Sequence, residues 1–517
     1  MVWLQCCNIA RLGAGSRLIL LLFKTMTDSQ RLRDELQTIA KYGSALALLS
    51  WDEEVNLPPK AHAFRGEVNA LLSAEVHRRF TSAEFIKLVE KLSSESKSLN
   101  ANDRVNVEET WRDLVRAQKL PVKFIENLTR LTSEAFGVWA EARKQKNFKI
   151  YEPVLRRMVD MKRQEAELIG FKVSPYDALL DEFEPGMTSA QLDKLFVPLA
   201  KNLSALIGQA KDRNQQTLPE AFYELGAQTK LCHEVSEALG YDFNTGRIDA
   251  SPHPFTTSFH QTDVRITTRY DENDFWVSLG STIHEIGHAL YEQGLPAKHF
   301  GTPLGQAISL GVHESQSRMW ENFVGRSQEF SEYLYPLLKK YFPDQKLSFT
   351  SQELHLWLNR VRPNLIRVES DEVTYNLHII LRYEIEKQLV EGKLKVSELP
   401  AVWSQKMKDY LGLDVPDDAQ GVLQDVHWSH GAFGYFPTYS LGNLYAAQLY
   451  STATQKIPDL AKGFSDGDFA KLLGWLRQNI HTQGRRYRPA ELLEKLTGEP
   501  PNPVYLQEHL ERVIKLG

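Results

Sequence analysis

From about residue 28 to residue 245 the chain repeats one pattern, apolar residues at three- and four-residue spacing, and nothing else in it limits the fold as strongly. Segments such as DSQRLRDELQTIAKYGSALALLSW and TSAQLDKLFVPLAKNLSALIGQAK read as long amphipathic helices, each with one face to bury. Breaks fall where turn chemistry sits: at Asn56-Leu57-Pro58-Pro59, at Pro185-Gly186 and between Asp242 and Gly246. No Gly/Ser-rich or Pro-rich linker, low-complexity tract or fixed-period repeat divides the body of the chain. The expectation is a mainly α protein with one catalytic unit over residues 28–515.

One stretch departs from the helical period. In Gln261 to Tyr270 (QTDVRITTRY) β-branched residues alternate with polar ones, which puts Asp263, Arg265 and Thr267 on one face of a strand and Val264 and Ile266 on the other. This predicts a strand of a small sheet embedded in helices.

The helical period then resumes. Phe275 to Gln293 (FWVSLGSTIHEIGHALYEQ) predicts a helix stopped by Gly294 and Pro296. Within it stands His284-Glu285-Ile286-Gly287-His288. Residues four apart on a helix are about 40° apart around the axis and one turn along it, so both imidazoles can reach one metal ion. Glu285 beside them is poorly placed as a ligand and well placed to take a proton from a water whose pKa the metal lowers. Such a motif arises by chance in roughly 3 of 100 chains like this one, so its setting has to add weight. Trp276, Leu279, Ile283, Ile286 and Leu290 form one apolar stripe, and the two histidines project roughly 125° to 165° away from its centre. They are not packed with that stripe; the competing reading is two solvent-facing histidines.

Two histidines leave a tetrahedral zinc short of a third protein ligand, and catalytic sites commonly complete a His2Glu set. Gly311 to Gly325 (GVHESQSRMWENFVG) predicts a second helix, with Met319, Trp320, Phe323 and Val324 buried and Glu314 near its start. Glu314 is the candidate, although a glutamate in a helix is ordinarily a solvated residue.

Charge and cysteine content narrow the class further. Lys plus Arg number 61 and Asp plus Glu 66, a net of -5, which offers no concentrated basic surface for nucleic acid. Cys6 and Cys7 are adjacent and only Cys232 lies in the body, so no disulfide framework is expected and a cytoplasmic, reducing location fits. Residues 1–27 carry Arg11, Arg17 and Lys24, no acidic residue, and the short apolar run LILLLF. Six apolar residues fall far short of the roughly 20 of a membrane span. The extension is expected to lie outside the fold, either as sequence upstream of a start at Met26 or as a transit peptide.

Taken together these motifs resemble those of the Taq-type metallocarboxypeptidase family, and the resemblance covers nearly all of residues 28–515. It rests on His253-Pro254-Phe255, Asp263-Val264-Arg265-Ile266-Thr267, the HEIGH segment, His313-Glu314-Ser315-Gln316, Ile366-Arg367-Val368-Glu369-Ser370-Asp371, and GVLQDVHW from Gly421 to Trp428. The family pattern usually carries Ala where this chain has Ser370, a change small enough to be tolerated. The resemblance implies one zinc per chain held by His284, His288 and Glu314, with cobalt able to substitute, and Glu285 as general base and acid. It also implies an elongated helical fold split by a deep groove between two lobes, similar to that of angiotensin-converting enzyme and neurolysin, and a homodimer. The implied reaction removes single residues from peptide C-termini, broadly but poorly at C-terminal proline.

A carboxypeptidase must grip a free carboxylate, and arginine is the side chain suited to a bidentate hold. Arg265 and Arg367 are the candidates, with His253 of the first motif also expected near substrate. The tetrahedral oxyanion needs donors, and the Gly- and aromatic-rich stretch from Gly421 to Gly442 supplies Gln424, His427, Tyr435 and Tyr439. Two other functions use the same residues: an endo-acting zinc oligopeptidase, and a non-catalytic peptide-binding scaffold. The intact Glu285 argues against the scaffold, because binding needs no general base.

Overall fold

The computed structural model describes residues 26–210, 216–345 and 347–516. The extension expected at residues 1–27 therefore lies, up to residue 25, outside the described residues. Among the described residues there are twenty α-helices and three short strands, so the chain is mainly α. No described helix is long and apolar enough to cross a membrane. Five helices carry or flank the site: α1 (Asp28–Val55), α2 (Phe275–Gly294), α3 (Leu310–Arg318), α4 (Glu372–Val390) and α5 (Pro437–Lys456).

Local chemistry starts and stops the helices. Thr27 caps α1 through a reciprocal pair of bonds with Gln30, and α1 ends before Pro58 and Pro59, whose rings cannot continue it. The segment read as TSAQLDKLFVPLAKNLSALIGQAK forms a helix at Ser189–Ala210. The helix Pro175–Phe183 stops ahead of Gly186, which turns the chain at φ 84°. Asp242 closes the turn before the sheet by accepting from Asn244 N at 2.9 Å.

The apolar interior falls into two clusters. Leu32, Leu36, Phe85, Val89, Leu92, Val107 and Leu114 pack among the N-terminal helices, whereas a far larger core extends from Leu131 to Ile514. Polar contacts tie the first to the second: Arg485 donates to Glu109 at 2.9 Å and to Asp113 at 2.6 Å, and Arg112 to Asp181 at 2.6 Å.

The sheet has the order β1 (Ile248–Ala250), β3 (Asp263–Thr268), β2 (Thr256–His260). β1 runs parallel to β3 with Ile248 opposite Ile266, and β2 runs antiparallel to it with Thr256 opposite Ile266. Val264 and Ile266 are buried while Asp263 and Arg265 stay partly exposed, as alternation requires. Thr267 departs from that pattern. It is buried on the polar face, where its hydroxyl accepts from Phe255 N at 3.0 Å and secures the β1–β2 loop.

The helix α2 packs against the sheet on one side and α3 on another. Asp274 caps its start, accepting from Trp276 N at 2.9 Å. The single buried stripe expected from the sequence is an underestimate: Ser278, Thr282, Glu285 and Gly287 are buried too, so α2 is a central helix whose two histidines alone of this motif remain partly exposed. The regular helix expected over Gly311–Gly325 also needs correction. α3 ends at Arg318 and continues as a π-helical turn, Met319–Val324. The wider turn buries Met319, Trp320, Phe323 and Val324 as expected while turning Glu321 back toward α2.

Two glutamates are wholly buried in this core. Glu386 of α4 accepts from Tyr176 Oη (2.7 Å), Trp428 Nε1 (2.7 Å) and Gly434 N (3.0 Å), and Glu184 accepts from Gly311 N (3.0 Å) and Tyr445 Oη (2.9 Å). Burial pushes each carboxyl up to about 7 from an ordinary 4.5, against the pull of these donors. Between those two values the folded chain holds protons that the unfolded chain has released, so stability falls as pH rises through that window. Glu386→Gln is expected to flatten the dependence of the melting temperature on pH across it; an unchanged slope would show that Glu386 does not titrate there.

Candidate metal centre

His284 and His288 stand one turn apart on α2, and Glu314 enters from α3. One ligand atom from each lies within 4.8 Å of the other two. Glu314 Oε2 is 3.9 Å from His284 Nε2 and 3.4 Å from His288 Nε2. Those separations suit atoms sharing one ion, since bonds of about 2.0 Å at tetrahedral angles place ligand atoms roughly 3.3 Å apart. Two imidazole nitrogens and a carboxylate oxygen also form a donor set that suits zinc.

Close helix packing makes this convergence possible. A Cβ on Gly287 would stand 2.5 Å from Ser317 Cα and 2.7 Å from Gln316 O, so only glycine lets the backbones of α2 and α3 approach this far. Gly442 of α5 plays the matching part on the other side, where a Cβ would lie 2.5 Å from Glu314 Cγ.

Each ligand candidate is held from behind. His284 Nδ1 lies 2.7 Å from Glu321 Oε2, and His288 Nδ1 lies 2.6 Å from His313 Nδ1. Arg318 bridges the acids, donating to Glu314 Oε1 at 2.7 Å and Glu321 Oε2 at 3.0 Å, with its guanidinium 4.2 Å from the centre of the Tyr375 ring. Burial works against the charge of Glu314, but Arg318 and the two histidines outweigh it and hold the carboxyl well below its usual range. Glu321 is likewise held down to about 2, burial being outweighed by Arg318 and His284. The histidines differ. Burial lowers His288 to about 4, whereas for His284 the charges of Glu314 and Glu321 outweigh burial and raise it.

Glu285 is buried beside this cluster. Its Oε2 accepts from Thr256 Oγ1 of β2 at 2.6 Å, so the small sheet braces the carboxylate and leaves Oε1 unengaged among the described residues. Burial raises its pKa against the opposing effects of His284 and the Thr256 hydroxyl.

The other candidates fall into two groups. Arg367 is buried, donating to Asp425 Oδ1 from Nε (3.1 Å) and Nη2 (2.8 Å) and to Tyr375 Oη from Nη1 (3.0 Å). Arg382 donates to the same aspartate at 2.7 Å, so two cations share one anion. His427 Nε2 is 3.3 Å from Tyr439 Oη, and burial lowers this imidazole to about 4, which leaves the cluster one positive charge in excess. Tyr435 packs edge-on to Tyr439 at 5.4 Å; burial and the nearby charge of Glu314 raise both phenols, so they remain protonated donors.

Arg265, His253 and Gln424 have other partners. Arg265 makes two bonds to Asp263 (2.8 and 3.0 Å), and its guanidinium is 4.4 Å from the Trp51 ring centre and 5.0 Å from that of Phe259. Its charge is balanced by Asp263, and it joins α1 to the sheet. His253 is exposed on the β1–β2 loop; Ser251 donates to its carbonyl at 2.7 Å, and no hydrogen bond joins its ring to the cluster among the described residues. The Gln424 amide is engaged by backbone, accepting from Arg367 N at 2.9 Å and donating to Leu365 O at 3.1 Å, so it secures the turn that presents Arg367.

Sequence reasoning missed Thr256, Arg318, Glu321 and Glu292. The 314/318/321 spacing was a usable signal, because those positions share one helix face. Glu292 was legible in the same way, one turn after His288 on α2; Thr256 had no such signal, since only folding brings it near the motif.

Comparison with known proteins agrees with this geometry. Residues 31–514 match the family model described as carboxypeptidase Taq (M32) metallopeptidase. The chain is 41% identical to thermostable carboxypeptidase 1 of Thermus thermophilus over 495 residues, 92% of this chain and 96% of that one. It is 37% identical to carboxypeptidase 1 of Bacillus subtilis over 482 residues, again 92% and 96%. Among solved structures, Trypanosoma cruzi metallocarboxypeptidase 1 superposes with a TM-score of 0.91 at 38% identity, covering 94% of this chain and 99% of that one. Fold and site thus define a helical metallopeptidase, a class whose hydrolysis requires a bound metal. The chain belongs to the Taq (M32) carboxypeptidase family and is a metallocarboxypeptidase.

Since the α2–α3 spacing rests on Gly287, Gly287→Ala is expected to cost about 1–3 kcal/mol of stability and to weaken metal binding by ~10-fold or more. Chelator competition measures the second effect. Unaltered affinity would show that helix spacing does not set the ligand distances.

Proposed function

We propose that this protein is a zinc carboxypeptidase that removes single residues from the C-termini of peptides, with His284, His288 and Glu314 as ligands and Glu285 as general base and then general acid. The observation that carries the reading is the convergence of three ligand atoms within 4.8 Å beside a buried carboxylate braced by Thr256. Zinc bound there would supply Lewis acidity, polarising the scissile carbonyl and lowering the pKa of water. Glu285 takes the proton of the attacking water at Oε1 and returns it to the leaving nitrogen. Tyr435 and Tyr439, which feel the charge of Glu314, and His427 beside Tyr439 are the donors to the oxyanion.

Arg367 receives the substrate carboxylate. Its cluster carries one unbalanced positive charge, and three of the five N–H groups of Arg367 are engaged, so two remain. Arg265, paired one-to-one with Asp263, carries no such excess of charge. A requirement for a free terminal carboxylate favours the exopeptidase over the endo-acting oligopeptidase. The proposal extends to cobalt as a functional substitute, to weak action on C-terminal proline, whose nitrogen carries no hydrogen, to a homodimer in the cytoplasm, and to one catalytic unit over residues 28–515.

Two experiments test the core of this reading. Purified protein is expected to hold about one zinc per chain, His288→Ala to lose metal and turnover together, and Glu285→Gln to keep the metal while turnover falls by roughly 10² or more. Full zinc content in the first variant would refute the ligand set, and near-normal turnover in the second would assign the proton to another group.

The second compares a free-acid peptide with its C-terminal amide. The acid is expected to lose one residue at a time and the amide to react ~10²-fold or more slowly, because it leaves the surplus charge unpaired. Arg367→Ala should narrow that gap. Equal cleavage of both forms at internal bonds would establish the endo-acting enzyme instead.

A further inference from the structure

The two ligand histidines are backed by unlike partners. His284 Nδ1 meets a carboxylate, Glu321, which accepts its proton directly at 2.7 Å. His288 Nδ1 meets another imidazole, the Nδ1 of His313 at 2.6 Å, and the far nitrogen of His313 lies 2.9 Å from Glu292 Oε1. The rings of His288 and His313 are 4.6 Å apart, and Tyr291 closes the far side of His313 at 5.3 Å.

Two ring nitrogens at that distance share one proton. Without a proton two lone pairs oppose each other, and with two protons a pair of N–H dipoles does. The Glu292 carboxylate decides where it sits. As an acceptor it draws the single N–H of a neutral His313 onto Nε2, which leaves His313 Nδ1 bare. The shared proton then belongs to His288 Nδ1, and His288 Nε2, the atom 3.4 Å from Glu314, is bare and free to bind a metal ion. The reverse order would put a proton on His288 Nε2 and block it.

We infer that His313 and Glu292 form a positioning relay that sets the tautomer and ring orientation of His288 for metal binding. The relay is built by the same contact that forms the site: Glu292 follows His288 by one turn of α2, and His313 immediately precedes Glu314 on α3. The inference rests on the proposed ligand set, in which His288 binds through Nε2.

The test measures zinc affinity by chelator competition and the visible absorption of the cobalt-substituted protein, using the full chain. His313→Leu keeps apolar bulk but removes the acceptor, and is expected to weaken zinc ~10- to 100-fold and to shift the cobalt bands. His313→Asn, whose Oδ1 can take the place of Nδ1 as acceptor, is expected to restore most of that affinity and a near wild-type cobalt spectrum. Glu292→Gln is expected to cause a smaller loss, because the amide oxygen still accepts while its nitrogen can favour the wrong tautomer. Wild-type affinity in His313→Leu, or an equal loss in His313→Asn, would overturn the relay. Should His313→Leu not fold, wild-type affinity in Glu292→Gln would overturn it as well. His288→Ala serves as the control: zinc retained there would instead refute the ligand set, a separate failure.

Discussion

The backbone contact between α2 and α3 at Gly287 is the constraint on which the site depends. Helices whose side chains interdigitate normally keep axes 8–10 Å apart, and a short carboxylate on one of them then reaches histidines on the other only where a side chain is missing. Gly287 removes that side chain, Gly442 makes room for the Glu314 methylenes, and Gln316 behind the contact is held by His481 Nε2 at 3.0 Å. Ligand convergence, the Arg318 bridge and the His313 contact all follow from that one approach.

Buried charge is arranged so that each excess sits next to its answer. Glu314 and Glu321 share Arg318, and both face the imidazoles of α2, which lowers their proton affinity despite burial. The opposite imbalance occurs around Asp425, where Arg367 and Arg382 leave one cation unmatched. On the proposed function, a peptide's terminal carboxylate would complete that second cluster. Removing a partner from such a group costs far more than the pair contributes net, because the remaining charge stays desolvated.

The sheet and α1 act at one remove. Thr256 braces Glu285 from β2, and Arg265, which the motif made a candidate for substrate, joins Asp263 to Trp51 of α1.

The sequence by itself determined the helical architecture, a strand within Gln261–Tyr270 and the pairing of His284 with His288, because periodicity and residue spacing are local and act over one or two turns; Glu314 stood out only through the family's motif. The sequence also set Glu285, the residue proposed above as the general base, beside the two histidines. The tertiary structure alone decided the rest. Thr256 and Glu321 reach the site from different elements, the π turn at Met319–Val324 redirects Glu321, His313 of α3 joins Glu292 to His288, and Arg367 differs from Arg265 through the company each keeps. Charge balance, burial and hydrogen-bond direction depend on groups tens to hundreds of residues away along the chain, and no local pattern carries that information.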